Sequence, residues 1–68
     1  MSVSYQKLRE VLVEKDITMA ELRKAADVAP NTMTKIRRNE EVSLEVLGRI
    51  CKALSVDFGD IMEYRNDT

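Results

Sequence analysis

Residues 18–38 read TMAELRKAADVAPNTMTKIRR, and the rest of the chain is best understood outward from them. Thr18-Met19-Ala20-Glu21 has the form of a capping box, in which a threonine hydroxyl and a glutamate carboxylate each satisfy a backbone N–H that the helix cannot. It predicts a helix running to about Ala26 that buries Leu22 and either Ala25 or Ala26. Only Asp27-Val28-Ala29 follow before Pro30. Proline lacks an N–H and holds φ near −65°, which suits the first position of a helix. A second helix is therefore expected from Pro30 to about Arg38, held down by Met33 and Ile36.

On the N-terminal side, Tyr5, Leu8, Val11 and Leu12 recur at helical spacing and predict a first amphipathic helix over about Ser4 to Lys15. On the C-terminal side, Ser43 reads as an N-cap and Glu45 suits the positive end of a helix dipole. A helix to about Leu54 follows, with Leu44, Leu47, Ile50, Cys51 and Leu54 inward. Asp57 reads as the cap of a last short helix holding Phe58, Ile61 and Met62, before a polar tail from Tyr64 to Thr68 that is expected to fray. No strand pattern and no internal repeat stands out. The expected fold is all-α, a single domain of five helices around Leu8, Leu12, Ile17, Leu22, Val28, Met33, Ile36, Leu47, Ile50, Leu54 and Ile61.

Composition narrows the function. With 68 residues the core is thin, and 44% apolar content is ordinary for a folded chain rather than a disordered one. There is no histidine, only Cys51 among thiols, and no glycine-rich phosphate loop. No nucleophile–base pair or metal-ligand cluster can be assembled, so neither enzyme activity nor a cofactor is expected. Cys51 reads as a reduced core residue and Asp57/Asp60 as caps. The N-terminus lacks a signal-peptide core and no apolar run is long enough to span a membrane, so a cytoplasmic protein, on the nucleoid when DNA-bound, is expected. The formal charge of −1 hides an asymmetry. Residues 1–39 carry eight Lys/Arg against five Asp/Glu, and residues 40–68 carry three against seven. One half is basic and the other acidic, which bears on partners more than the total does.

Two short helices with a tight turn form a helix-turn-helix, whose second helix stands clear of the body and fits the DNA major groove. With Leu22, Val28, Met33 and Ile36 buried, Asn31, Thr32, Thr34, Lys35 and Arg38 can project outward. Short polar side chains early in a helix reach base edges, and cations at its end reach phosphates. Arg37 and Arg38 point about 100° apart, so they do not both face DNA; Arg38 is the one expected to. Lys7 and Arg9 read as a solvated face.

The stretch ITMAELRKAADVAPNTMTKI, together with VSLEVLGRICKALSVDFGDIMEY at the expected spacing, resembles the Cro and lambda-repressor-like helix-turn-helix regulators, in particular their small bacterial branch. The resemblance covers nearly the whole chain. It implies a sequence-specific DNA-binding regulator, most simply a repressor, with double-stranded DNA as partner. Carried over, the base-edge positions are Pro30, Asn31, Thr32, Thr34 and Lys35, and the phosphate positions are Thr18, Met19, Lys35, Arg38 and Ser43. Met19 stands where the family commonly has glutamine, Asp27 where it has a turn glycine, Ala29 where it often has a capping hydroxyl, and Arg23 where a small residue is usual. Met19 and Ala29, with Glu40-Glu41, make a protein-interaction module of the same fold the alternative. No small-molecule ligand is expected. The apolar set Phe58, Ile61, Met62 and Tyr64 in the acidic half is the expected homodimer contact, which would put two reading helices one DNA turn apart.

Overall fold

The computed structural model describes residues 2–65. Its elements in chain order are β1 (Ser2–Ser4), α1 (Gln6–Lys15), α2 (Met19–Ala26), α3 (Pro30–Arg37), α4 (Leu44–Leu54), a single 3₁₀ turn (Phe58–Asp60) and β2 (Glu63–Arg65). Four α-helices therefore stand where five were expected. The fifth is reduced to the 3₁₀ turn because Asp57 and Asp60 close a capping box across only three residues and the chain extends again at once.

The second departure is a two-stranded antiparallel sheet. Val3 pairs with Tyr64, Ser2 with Arg65 and Ser4 with Glu63. The first helix accordingly begins at Gln6 rather than Ser4, and Tyr64 belongs to a strand rather than a fraying tail. Residues 66–68 of that expected tail lie outside the described residues.

α2 packs chiefly on α4, and α3 lies against α2. One apolar cluster joins them, built on Leu8, Leu12, Leu22, Val28, Met33, Ile36, Leu47, Ile50, Leu54 and Ile61, with Tyr5 added and Ala26, of the two alanines expected, the one that is buried. Ile17 only packs at its edge. Each helix is followed by a residue with a side chain in the left-handed conformation: Asp16, Asp27, Asn39 and Ser55, all with φ between 55° and 58°. Aspartate and asparagine tolerate that conformation better than most residues because their short side chains are not crowded by the backbone. Cys51 is half-buried beside the core. Burial and the carboxylates of Asp57 and Asp60 push its thiol above the ordinary range, so it is a poor nucleophile at neutral pH. Among the described residues, no helix is long and apolar enough to cross a membrane, and no three His, Cys, Asp or Glu side chains gather as metal ligands.

Candidate nucleic-acid interface

α2 begins as its sequence requires. The Thr18 hydroxyl accepts the Glu21 N–H at 3.1 Å, and the Glu21 carboxylate accepts the Thr18 N–H at 2.9 Å. The Thr18 N–H bond to the carboxylate, and to a smaller degree the Thr18 side chain, hold the Glu21 carboxyl below its usual range. The threonine oxygen is used as an acceptor, so its own proton remains available to a phosphate oxygen. Ser43 repeats the arrangement at α4, accepting the Val46 N–H at 3.2 Å. Met19 is half-buried against the core, so its part in any phosphate contact falls to its backbone N–H, one of the first-turn donors that a helix leaves unpaired.

Thr18→Ala is expected to destabilise the fold by about 0.5–2 kcal/mol, the usual loss for an N-cap hydroxyl. A second signature is acid dependence. Glu21 titrates lower in the folded chain than in the unfolded one, so its contribution is present above the ordinary carboxylate range and fades as pH falls through the lowered value. The bond from the residue-18 N–H survives in Thr18→Ala, so the acid test uses Glu21→Ala, whose urea midpoint should converge with that of wild type on acidification. An equal gap at pH 6 and pH 3 would contradict this.

The turn is closed by backbone bonds. Asp27, at φ 55° and ψ 54°, ends α2, and the Val28 N–H bonds the Arg23 carbonyl at 3.0 Å. Val28 then enters the core. From α4, Arg49 donates to the Asp27 carbonyl at 2.8 Å and pairs with Glu45 at 2.7 Å, so the turn is tied to a second helix. Arg23 is half-buried along α2.

α3 starts without a side-chain cap at Ala29. The loss is small: Pro30 has no N–H to satisfy, and the Thr32 and Met33 N–H groups both bond the Ala29 carbonyl at 3.1 Å. Asn31 is left with a free backbone donor and an exposed amide at the tip of the helix. Met33 and Ile36 face inward; Pro30, Asn31 and Lys35 are exposed; Thr32 and Thr34 are half-buried. The Thr34 hydroxyl donates to the Pro30 carbonyl at 3.2 Å, which leaves it only acceptor capacity toward a base. Arg37 and Arg38 are both exposed, and Arg38 lies 4.0 Å from the Glu40 carboxylate, a loose ion pair in solvent.

Thr18, Met19, Pro30, Asn31, Thr32, Thr34, Lys35, Arg38 and Ser43 thus sit at the ends and outer faces of α2, α3 and α4. A family model of the Cro/C1-type HTH DNA-binding domain matches residues 7–67. The chain belongs to this family. Among solved structures it is similar to the one described as the crystal structure of transcriptional regulator VanUg, Form II, with 48% sequence identity and a TM-score of 0.89 over 91% of this chain and 83% of that one. No curated protein matches it.

For a member of this family, sequence reasoning left out four side chains that hold the helix-turn-helix in place. Arg9, taken for a solvated residue, is half-buried and donates to the Arg37 carbonyl at 2.8 Å. Tyr5 donates its N–H to the Asn39 Oδ1 at 3.0 Å and its hydroxyl to the Glu40 carbonyl at 2.9 Å. Burial pushes the Tyr5 phenol above its usual range, opposed by the Val42 backbone and aided by Glu41. Asn39 is the third of these side chains and Arg49, bound to the Asp27 carbonyl, the fourth. The Glu45–Arg49 spacing of four was visible as a helical pair; the reach of any of these side chains to another helix was not.

The expected dimer contact needs correction. Ile61 is 0% exposed in the folded chain and has no surface to offer, because the 3₁₀ turn directs it under α1 and α4. Phe58 at 39% and Tyr64 at 67% are exposed, and Leu44, expected inward, is 67% exposed. These three, with half-buried Met62, border an apolar groove of about 470 Å³ rimmed by Glu41 and Glu63.

Proposed function

We propose that this chain is a sequence-specific DNA-binding transcriptional regulator, a repressor, that reads the major groove with α3. The observation that carries the reading is the face of α3. Asn31 and Lys35 stand exposed on a helix whose opposite side is fixed by Met33 and Ile36. Membership of a DNA-binding family and likeness to a transcriptional regulator support it. Pro30, Asn31, Thr32, Thr34 and Lys35 meet base edges. Thr18, the Met19 N–H, Arg38 and Ser43 meet phosphates, and Lys35 is long enough to do either. The chain is a single domain that works in the cytoplasm on chromosomal DNA and needs no cofactor.

It acts as a homodimer. The groove between Leu44, Phe58, Met62 and Tyr64 is the contact, and with extents of 35 × 24 × 17 Å two copies are large enough to space their α3 helices by the roughly 34 Å of one DNA turn.

The test is a selection from random duplexes by the purified protein. It should enrich a two-fold site, bound at the mass of two chains, and log affinity should fall with log salt by about 0.9 per phosphate neutralised. Enrichment of nothing, with affinity insensitive to salt, would end the proposal.

A further inference from the structure

Resting on that reading of α3, we propose that Tyr5, Asn39 and Arg9 form a lock that sets the angle of the reading helix and so are positioning residues for sequence discrimination, although none lies on the face carrying Asn31 and Lys35. α3 is eight residues long and its buried stripe consists of Met33 and Ile36 alone. Two anchors three residues apart define a lever of only about 4.5 Å at 1.5 Å rise per residue. By themselves they leave the helix free to rock.

The two ends of α3 are held differently. At the N-terminal end the Val28 plug and the Arg49 bond to the Asp27 carbonyl fix the turn. At the C-terminal end the fixing comes from across the fold, from Tyr5 and Arg9, one helical turn apart. Arg9 holds the Arg37 carbonyl, the Tyr5 N–H holds the Asn39 side chain, and the Tyr5 hydroxyl holds the Glu40 carbonyl. Asn39 can offer its oxygen there because its backbone turns left-handed at φ 58°. The Glu40 N–H closes back on the Lys35 carbonyl at 2.8 Å, so movement of this segment is movement of the helix. Tyr5 is 1% exposed, which makes it a fixed post rather than a swinging arm.

The consequence is selective. An eight-residue helix is about 12 Å long, so a tilt of roughly 10° displaces one end by about 2 Å relative to the other. Hydrogen bonds to bases hold only within a few tenths of an ångström, whereas long cationic side chains follow a phosphate through such a shift. Loosening the lock should therefore weaken specific binding and spare non-specific binding.

The experiment uses the duplex selected above and a scrambled duplex of equal length. Asn39→Gly keeps the left-handed turn and removes the acceptor; Tyr5→Phe keeps the ring and removes only the hydroxyl. Each should lower the ratio of specific to non-specific affinity about tenfold, with the scrambled-duplex affinity and the salt slope unchanged. Asn39→Asp, which restores an acceptor in a residue that tolerates the same turn, should recover the ratio. An unchanged ratio, or an equal fall on both duplexes, would overturn the lock. A wild-type protein that selects no sequence would instead count against the proposed function. The lock is then read in the free protein, where Asn39→Gly should speed amide exchange at Ile36, Arg37 and Arg38 about tenfold relative to α4, and unchanged exchange would refute it.

Discussion

Ile36→Ala is expected to remove most of the stability of the chain. The side chain is 1% exposed and sits where α3 meets the core. Truncating a buried isoleucine to alanine costs about 2–5 kcal/mol, part lost transfer energy and part unfilled cavity. A chain of 68 residues has roughly 3–10 kcal/mol to lose, at the usual 0.05–0.15 kcal/mol per residue. The thermal midpoint should fall by at least about 8 °C, since domains of this size move roughly 4–8 °C per kcal/mol. The matched control is Val13→Ala. Val13 is 82% exposed on α1, and its truncation should stay within about 0.5 kcal/mol. Equal effects at the two positions would mean that α3 is not anchored through Ile36.

The second large effect concerns DNA. Asn31→Ala and Lys35→Ala are each expected to cost about 1–3 kcal/mol of specific affinity if the side chain reads a base. The loss should fall on one base position, so a repeat of the duplex selection with each variant should relax there and nowhere else. Arg38→Ala should behave differently. A phosphate contact weakens all sequences alike and lowers the salt slope by about 1. If Asn31→Ala weakened every duplex equally, the amide would be a backbone contact and base reading would rest on Lys35 and the threonines.

The helix-turn-helix was legible because every device in it is local. Thr18 and Glu21 lie three residues apart, Pro30 marks its own position, and Leu22, Val28, Met33 and Ile36 follow a helical period, so no knowledge of the rest of the chain was needed. The sheet was not legible, since strands of three residues are too short to show alternation and Val3 finds Tyr64 from the other end of the chain. The same distance hid Tyr5 as the partner of Asn39 and Arg9 as the partner of Arg37. Phe58 to Met62 carried a helical pattern, but three residues form only a 3₁₀ turn, and the return to extended backbone sends Ile61 inward while leaving Phe58 and Tyr64 outside. Of the proposed contacts, Asn31, Thr32, Thr34, Lys35 and Arg38 followed from the buried pattern of the two helices, and Pro30, Thr18, Met19 and Ser43 from resemblance. What the fold adds is that their side chains or backbone donors remain open to solvent.

The left-handed residues that close the four helices bear on how this protein can change. Glycine adopts that conformation with least strain, yet both glycines of the chain stand elsewhere, and neither has positive φ. Asp16, Asp27 and Ser55 are held only by their backbones, so glycine there would relieve about 1 kcal/mol or less of strain, offset in part by the freedom glycine adds to the unfolded chain. Asn39 is not interchangeable in this way, because its side chain is occupied by Tyr5. Three helix ends therefore hold unspent stability and the one that closes α3 does not. Destabilising changes on α3 have their compensation available at positions 16, 27 and 55, none of which lies on α3 itself.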